Sequence, residues 1–192
     1  MALTLLATVK AELQLSGTSA DSWLASQITA VSEQVESYCN RTFARAAVTE
    51  TRQIERTSSR LVLSRYPVDS SQSLSVVYGD DNTVVTSTDY RLWAADGILQ
   101  PDSCWPSCIL TVSYTGGYYL PGDIDRDLPY DLEQAVIDLI VRRYYRWINK
   151  RDPMLRSEAV PDVLSVSYVD GLRQDGMEAM PAAIQRYRHT PV

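Results

Sequence analysis

The stretch from Cys108 to Trp147 does most to limit what this chain can fold into. It opens on alternation, with Ile109, Leu110 and Val112 leading to Tyr114, and that period predicts a strand. Thr115-Gly116-Gly117 breaks the strand, and a loop follows with Pro121, Asp123, Asp125, Asp127 and Pro129. Leu132, Val136, Leu139, Ile140, Tyr144 and Trp147 then recur at helical spacing. They predict the buried stripe of a long helix that starts near Asp127, with Pro129 in its first turn and Asp131 and Glu133 beside the positive dipole end. Asp138 and Arg142 are ordered for an i, i+4 pair on its outer face. A strand that hands over to such a helix joins two kinds of structure, so the fold class is α+β.

The segments before this stretch supply the other parts. Leu5, Val9 and Leu13 predict a short helix over residues 4–14, broken by Ser16-Gly17-Thr18-Ser19. Leu24, Ile28, Val31, Val35 and Tyr38 keep one face apolar in a second helix, from about Ala20 to Cys39, with Ser19 or Asp21 as its N-cap. A loop so short predicts an antiparallel helix hairpin. From Arg45 the period becomes alternating. Strands are expected over 48–55, 60–63, 73–78, 83–85, 90–93, 98–100 and 109–114, with turns at Thr57-Ser58-Ser59, Gly79 to Asn82 and Ala95-Asp96-Gly97. The expected architecture is a bundle of roughly three to four helices from residues 1–44 and 119–152. Residues 45–118 form an inserted small antiparallel β module, sandwich-like or barrel-like, and residues 153–192 form a C-terminal docking arm.

That arm has no room for its own core. Val163 to Val169 alternates like a strand, Asp170-Gly171 turns, and Met180 to Arg188 forms a short terminal helix with Pro181 at its start. It either docks on a partner or folds back on its own domain. Arg142, Arg146 and Lys150 step by four along the long helix. They make either a solvated face that complements the helix C-terminus or a docking face for an acidic partner or DNA phosphates.

Composition bounds the chemistry. With 192 residues, 45% apolar and 22% charged, the chain can bury a core as a soluble globular protein. Its net charge of -6 argues against sequence-specific nucleic-acid binding, yet suits a surface past which DNA slides without sticking. Twelve Tyr and four Trp against one Phe fit either half-wet subunit interfaces or a partly exposed sheet. Cys39, Cys104 and Cys108 are odd in number, lack CxxC spacing and are read as reduced, cytoplasmic thiols that fill a core. With His189 the one histidine, a zinc site is not expected. The start, MALTLLATVKAEL, lacks a basic n-region, and no later run is apolar enough to span a membrane.

Asp123-Ile124-Asp125-Arg126-Asp127 imitates a calcium loop, but Leu128 stands where the Gly is needed and Gln134 where the bidentate Glu is needed. Gly116-Gly117 lacks the lysine of a phosphate loop. A catalytic His would have to be His189, close to the end of the sequence. No catalytic residue, metal or cofactor is expected. A small acidic enzyme or a ligand-binding domain on the inserted sheet remains the remote alternative.

The order of parts resembles the head–tail connector (adaptor, or head-completion) proteins of tailed bacteriophages. The likeness lies in the opening helix pair closed by Tyr38, Asn40-Arg41 and Phe43, and in Arg65-Tyr66-Pro67-Val68 followed by Tyr90-Arg91-Leu92. Most specific is VSYTGGYYLPGDIDRDLPYDLEQAVIDLIVRRYY, and the close from Met180-Pro181 to Tyr187-Arg188 is also similar. The Pro121–Leu128 and Cys104-Trp105-Pro106 loops depart from the family pattern. The resemblance implies a structural subunit of a homo-oligomeric ring, commonly a dodecamer, in the neck of the virion and assembled in the host cytoplasm. Such a ring binds the portal protein at the capsid vertex, extends the DNA channel close to packaged DNA, and gives the stopper or tail-completion protein a platform. The alternative within the same neck is a stopper or tail-completion protein. The residues expected at the portal are Met180, Pro181, Ile184, Tyr187 and Arg188, with Arg142, Arg146 and Lys150 at an interface or near DNA.

Overall fold

A computed structural model describes residues 1–54, 60–79, 83–149, 157–160, 164–167 and 180–189. The chain divides into two compact units. One, mainly helical, comprises Ala2–Val35 and Pro129–Tyr187; the other, mainly β, comprises Met1, Glu36–Leu128 and Arg188–Val192. The described residues form a mixed α and β fold with four helices, two small three-stranded antiparallel sheets and a two-stranded antiparallel sheet.

In the helical unit, α1 (Leu6–Glu12) and the first part of α2 (Asp21–Cys39) precede α3 (Tyr130–Ile148) and the short α4 (Ala182–Gln185). The α2 stripe buries Leu24, Ile28, Val31 and Val35, as its spacing predicts. From α3, Leu132, Ala135, Val136, Ile137, Leu139, Ile140 and Tyr144 are buried. Each fully buried aliphatic side chain here stabilises by about 1.5–3 kcal/mol. Polar groups at the same depth are paired: the Leu3 N–H donates to Ser32 Oγ at 3.0 Å, and the Thr4 hydroxyl donates to the buried Glu133 carboxylate at 3.1 Å. Arg143 reaches from α3 to α2, donating to Gln27 at 3.3 Å and also to Gln34.

Three features of α3 differ from the sequence expectation. It starts at Tyr130, because Pro129 has an extended backbone at the N-cap and Asp127 is engaged in the preceding loop. Asp138 accepts from Gln134 at 3.1 Å, and Arg142 is exposed. Trp147, expected in the buried stripe, is 47% exposed because it lies at the helix end, where one ring face stacks on Trp23 at 4.9 Å.

The β unit contains β1 (Ala46–Ile54), β2 (Leu61–Val62), β3 (Ser75–Tyr78), β4 (Tyr90–Trp93), β5 (Ile98–Pro101) and β6 (Cys108–Gly116). One sheet has the order β1-β6-β3 and the other β2-β5-β4. Strand β6 is central, pairing antiparallel with β1 from Ala46↔Gly116 to Ile54↔Cys108, and with β3 on its other side. Its alternation is strict: Leu110, Val112 and Tyr114 point inward while Ile109 is exposed. They share one core with Ile54, Leu63, Val68, Val76, Val85, Leu99 and Trp105, so both sheets contribute to it. At β1, by contrast, Thr49, Thr51, Arg52 and Gln53 are exposed.

Residues 83–85 form an isolated bridge to β3 in place of a strand, and the expected turns at 57–59 and 80–82 lie outside the described residues. The strand β7 (Ser157–Val160) is an addition to the sequence reading, and it pairs antiparallel with β8 (Leu164–Ser167). Cys39 is buried as a core thiol should be, but Cys104 is exposed and Cys108 half-buried, because the 102–107 loop turns Trp105 inward instead. Among the described residues no helix is long and apolar enough to cross a membrane, and no group of carboxylate, thiol and imidazole side chains could hold a metal ion.

The glycine pair that ends β6 has a steric cause. A Cβ on Gly116 would sit 2.5 Å from the Arg65 carbonyl oxygen, and one on Gly117 2.6 Å from that of Ala44. Gly117 also has φ of +100°, where an L side chain is strained. Replacing Gly117 by Ala is therefore expected to cost roughly 2–4 kcal/mol. A urea melt with an unchanged midpoint would show that the turn relaxes freely.

Candidate docking surface

The residues after α2 are placed by a helix stop written into the sequence. Asn40 takes φ of +50°, its N–H donates to Ser37 O at 3.2 Å, and the Arg41 N–H donates to Glu36 O at 3.2 Å. This is a Schellman C-cap with Asn in the left-handed position. It turns Arg41 inward, where it is 5% exposed, and lets Glu36 cap the Phe43 N–H at 3.1 Å.

Aromatic rings then surround the Arg41 guanidinium. It lies 3.4 Å from the Tyr66 ring centroid, 4.8 Å from Phe43 and 5.7 Å from Tyr118, and it donates to the Tyr66 carbonyl. Stacking on ring faces suits a weakly hydrated planar cation and offsets part of its desolvation. Next to it in sequence, Arg45 pairs with Asp69 and lies 4.7 Å from the Tyr119 ring centroid. The Asp69 carboxyl sits below its ordinary value through bonds from the Ser71 hydroxyl and N–H, with Arg45 adding to them.

A second polar group in the β unit centres on Glu50. The alternation of β1 turns Glu50 to the side of Ala46 and Val48, where its side chain is 9% exposed. The Ser64 and Tyr114 hydroxyls donate to it, as do the Ser64 N–H at 3.1 Å and Arg52 at 2.9 Å. Burial alone would raise the Glu50 carboxyl, but these donors outweigh it and hold the group below its usual range. Tyr114 moves the opposite way, well above the usual phenol value, through burial and the adjacent carboxylate.

The end of the described chain meets this unit. The His189 N–H donates to Cys39 O at 2.7 Å, its ring lies 6.3 Å from Tyr66, and Arg188 lies 5.4 Å from the Tyr38 ring. Burial, joined by the charges of Arg52 and Arg41, holds the imidazole below 6.5. Burial likewise pushes the Cys39 thiol up to about 11, against the pull of Arg41 and Arg188.

The residues expected to bind the portal fall in different settings. In the helical unit Ile184 is fully buried, Tyr187 donates to Asp131 at 2.7 Å, and Met180 and Pro181 are half-buried. Arg188 is exposed in the β unit. Of the basic row, Arg142 is exposed, Arg146 is half-buried, and Lys150 lies outside the described residues. Sequence reasoning missed Arg41, Arg45, Glu50 and Asp69. The signal for Glu50 was present, since strand alternation assigns it an inward position. Arg41 had no such signal, because a charge just past a helix reads as surface.

The sequence model of the head completion protein family matches residues 2–160. The chain belongs to that family. No curated protein matches it. Solved structures with a similar fold include a chain from the neck of an empty gene transfer agent particle computed with C6 symmetry. It shares 20% identity at a TM-score of 0.57, over 97% of this chain and 90% of that one. A chain from the neck of the native particle, computed with C12 symmetry, gives 19% identity, a TM-score of 0.51, and coverage of 97% and 89%. A third, from the virion of the native particle, gives 21%, 0.50, and 97% and 90%. At these identities the likeness is one of fold.

Two measurements check the polar groups. The folded Glu50 carboxyl sits below its ordinary 4.5, so its stabilisation is complete above that pH and is lost as pH falls through the folded value. Glu50→Gln should lower stability at pH 7 by about 1–3 kcal/mol and flatten this acid limb; an unchanged limb would remove Glu50 from the acid response. The His189 imidazole should titrate below 6.5 by NMR. Its contribution to the folded state is then present above 6.5 and fades as pH falls towards the folded value. Arg52→Ala should move that midpoint upward.

Proposed function

We propose that this protein is a structural subunit of a phage-type head–tail connector, located in the virion neck and without catalytic activity. The observation that carries this reading is the family match across residues 2–160, and the fold shared with neck chains supports it. In this reading the subunits form a ring, as the C6 and C12 symmetries of those neck structures favour. The ring binds the portal protein, extends the DNA channel and offers a platform to a stopper or tail-completion protein. A net charge of -6 suits a channel wall that DNA passes without sticking.

The division of labour follows the sequence. A helical bundle from residues 1–44 and 119–152 carries the inserted β module of residues 45–118, and the arm of residues 153–192 docks on the portal. Docking uses Met180, Pro181, Ile184, Tyr187 and Arg188. Because Ile184 is buried and Tyr187 is bonded to Asp131, portal binding exchanges contacts within the helical unit for contacts with the partner. Arg142, Arg146 and Lys150 serve an interface or DNA phosphates.

Mixing the protein with its cognate portal and imaging the product tests the assignment. The expected product is a ring at the narrow end of the portal, lost when residues 171–192 are deleted. Normal attachment of the truncated protein would remove the arm from portal binding. A protein that never joins the portal would overturn the connector reading.

A further inference from the structure

Ile124 is wholly exposed, at 102% of its reference area, yet the loop that carries it is tied at its base. The Asp123 carboxylate accepts the Leu120 N–H at 2.9 Å, and the Asp127 carboxylate accepts the Tyr119 N–H at 2.6 Å. The Leu128 N–H donates to Tyr119 O at 3.2 Å, and the Leu128 side chain is buried. The aspartates that fail as a calcium loop thus fold the loop on itself, and its tip displays an apolar side chain between Asp123 and Asp125. A lone exposed isoleucine needs no explanation by itself. This one is held out on an anchored loop with negative charge on both sides.

A surface of matching chemistry lies on the last turns of α3. Tyr145 is 54% exposed and Ile148 49% exposed, and their spacing of three places them side by side. Arg142 is exposed one turn before Tyr145, and Arg146 follows Arg142 at the next turn, so basic residues run along this apolar strip. Tyr145 rests on buried Tyr144 at 6.0 Å between ring centroids, and Tyr144 also lies 5.9 Å from Trp147 and from Trp23. The strip is therefore backed by a fixed aromatic cluster.

We propose that the Asp123-Ile124-Asp125 tip of one copy seats on the Tyr145–Ile148 strip of a second copy, with the aspartates facing Arg142 and Arg146. Charge complementarity selects the occupant. Two chains of net charge -6 repel, so copies associate where a local acidic tip meets a local basic strip. The two surfaces are different, which makes the contact heterologous. Such contacts repeat head to tail and close into a ring when the rotation permits. This rests on the ring reading above and assigns residues to it.

Disulfide trapping tests the contact. In a Cys104→Ser background, Ile124→Cys and Ile148→Cys are placed singly and together, and each protein is oxidised alone and on the portal. The double variant should give a ladder of covalent multimers on a non-reducing gel, and each single variant should not. As a second readout, Asp125→Arg or Arg142→Asp alone should weaken self-association about tenfold, and the two together should restore it. A ring that forms on the portal without the ladder or the rescue overturns this contact and leaves the ring standing. An internal disulfide at monomer mass overturns it too, because the strip is then covered by the same chain. Attachment to the portal as separate copies would defeat the ring reading and this inference together.

Discussion

The β unit depends on how closely its backbone can approach itself at the end of β6. Gly116 and Gly117 pass within Cβ-excluding distance of the Arg65 and Ala44 carbonyls, and the approach is fixed by hydrogen bonds on both sides. Gly117 N–H donates to Pro67 O at 2.9 Å, Tyr118 N–H to Phe43 O at 2.7 Å, and Arg45 N–H to Tyr118 O at 2.9 Å. Three distant segments are tied at one place with no side chain between them. The central strand, the residues after α2 and the Arg65–Val68 segment all take their positions from it.

Two charges sit at low exposure in this unit, and they are stabilised differently. Glu50 is surrounded by donors from Ser64, Tyr114 and Arg52, which keep it ionised despite burial. Arg41 relies on ring faces, with one carbonyl as acceptor and its Nε without a partner. Removing either side of such an arrangement leaves the other buried and unmatched, which costs more than the pair contributes. The helical unit follows another logic, in which most of the hold is apolar and polar groups such as Thr4 and Glu133 are matched one to one.

Much of the fold was legible because period and punctuation agree. The α2 stripe, the β4–β5 hairpin around Ala95-Asp96-Gly97 and the alternation of β6 are local patterns that tertiary packing did not override. The departures each have a cause at one residue. Pro129 and the Asp127 bond to Tyr119 delay α3 by about a turn. Trp147 keeps helical spacing with the core but runs out of neighbours at the helix end. Strand β7 is a short Ser-Glu-Ala-Val run that gains its meaning only from pairing with β8. The buried polar groups of the β unit were less legible, since the burial of Arg41 follows from the Asn40 cap, and no spacing rule reports where a capped chain will point.

Strand β1 carries one more consequence. It is nine residues long and forms the edge of its sheet, a geometry that in general invites another strand to pair with it. Its outward side chains include Thr49, Thr51 and Gln53, and Arg52 on the other side is exposed as well, so an incoming apolar strand finds little to cover. An edge of this length is in general a hazard for indiscriminate edge-to-edge aggregation. The polar edge of β1 guards against it by making that route unrewarding.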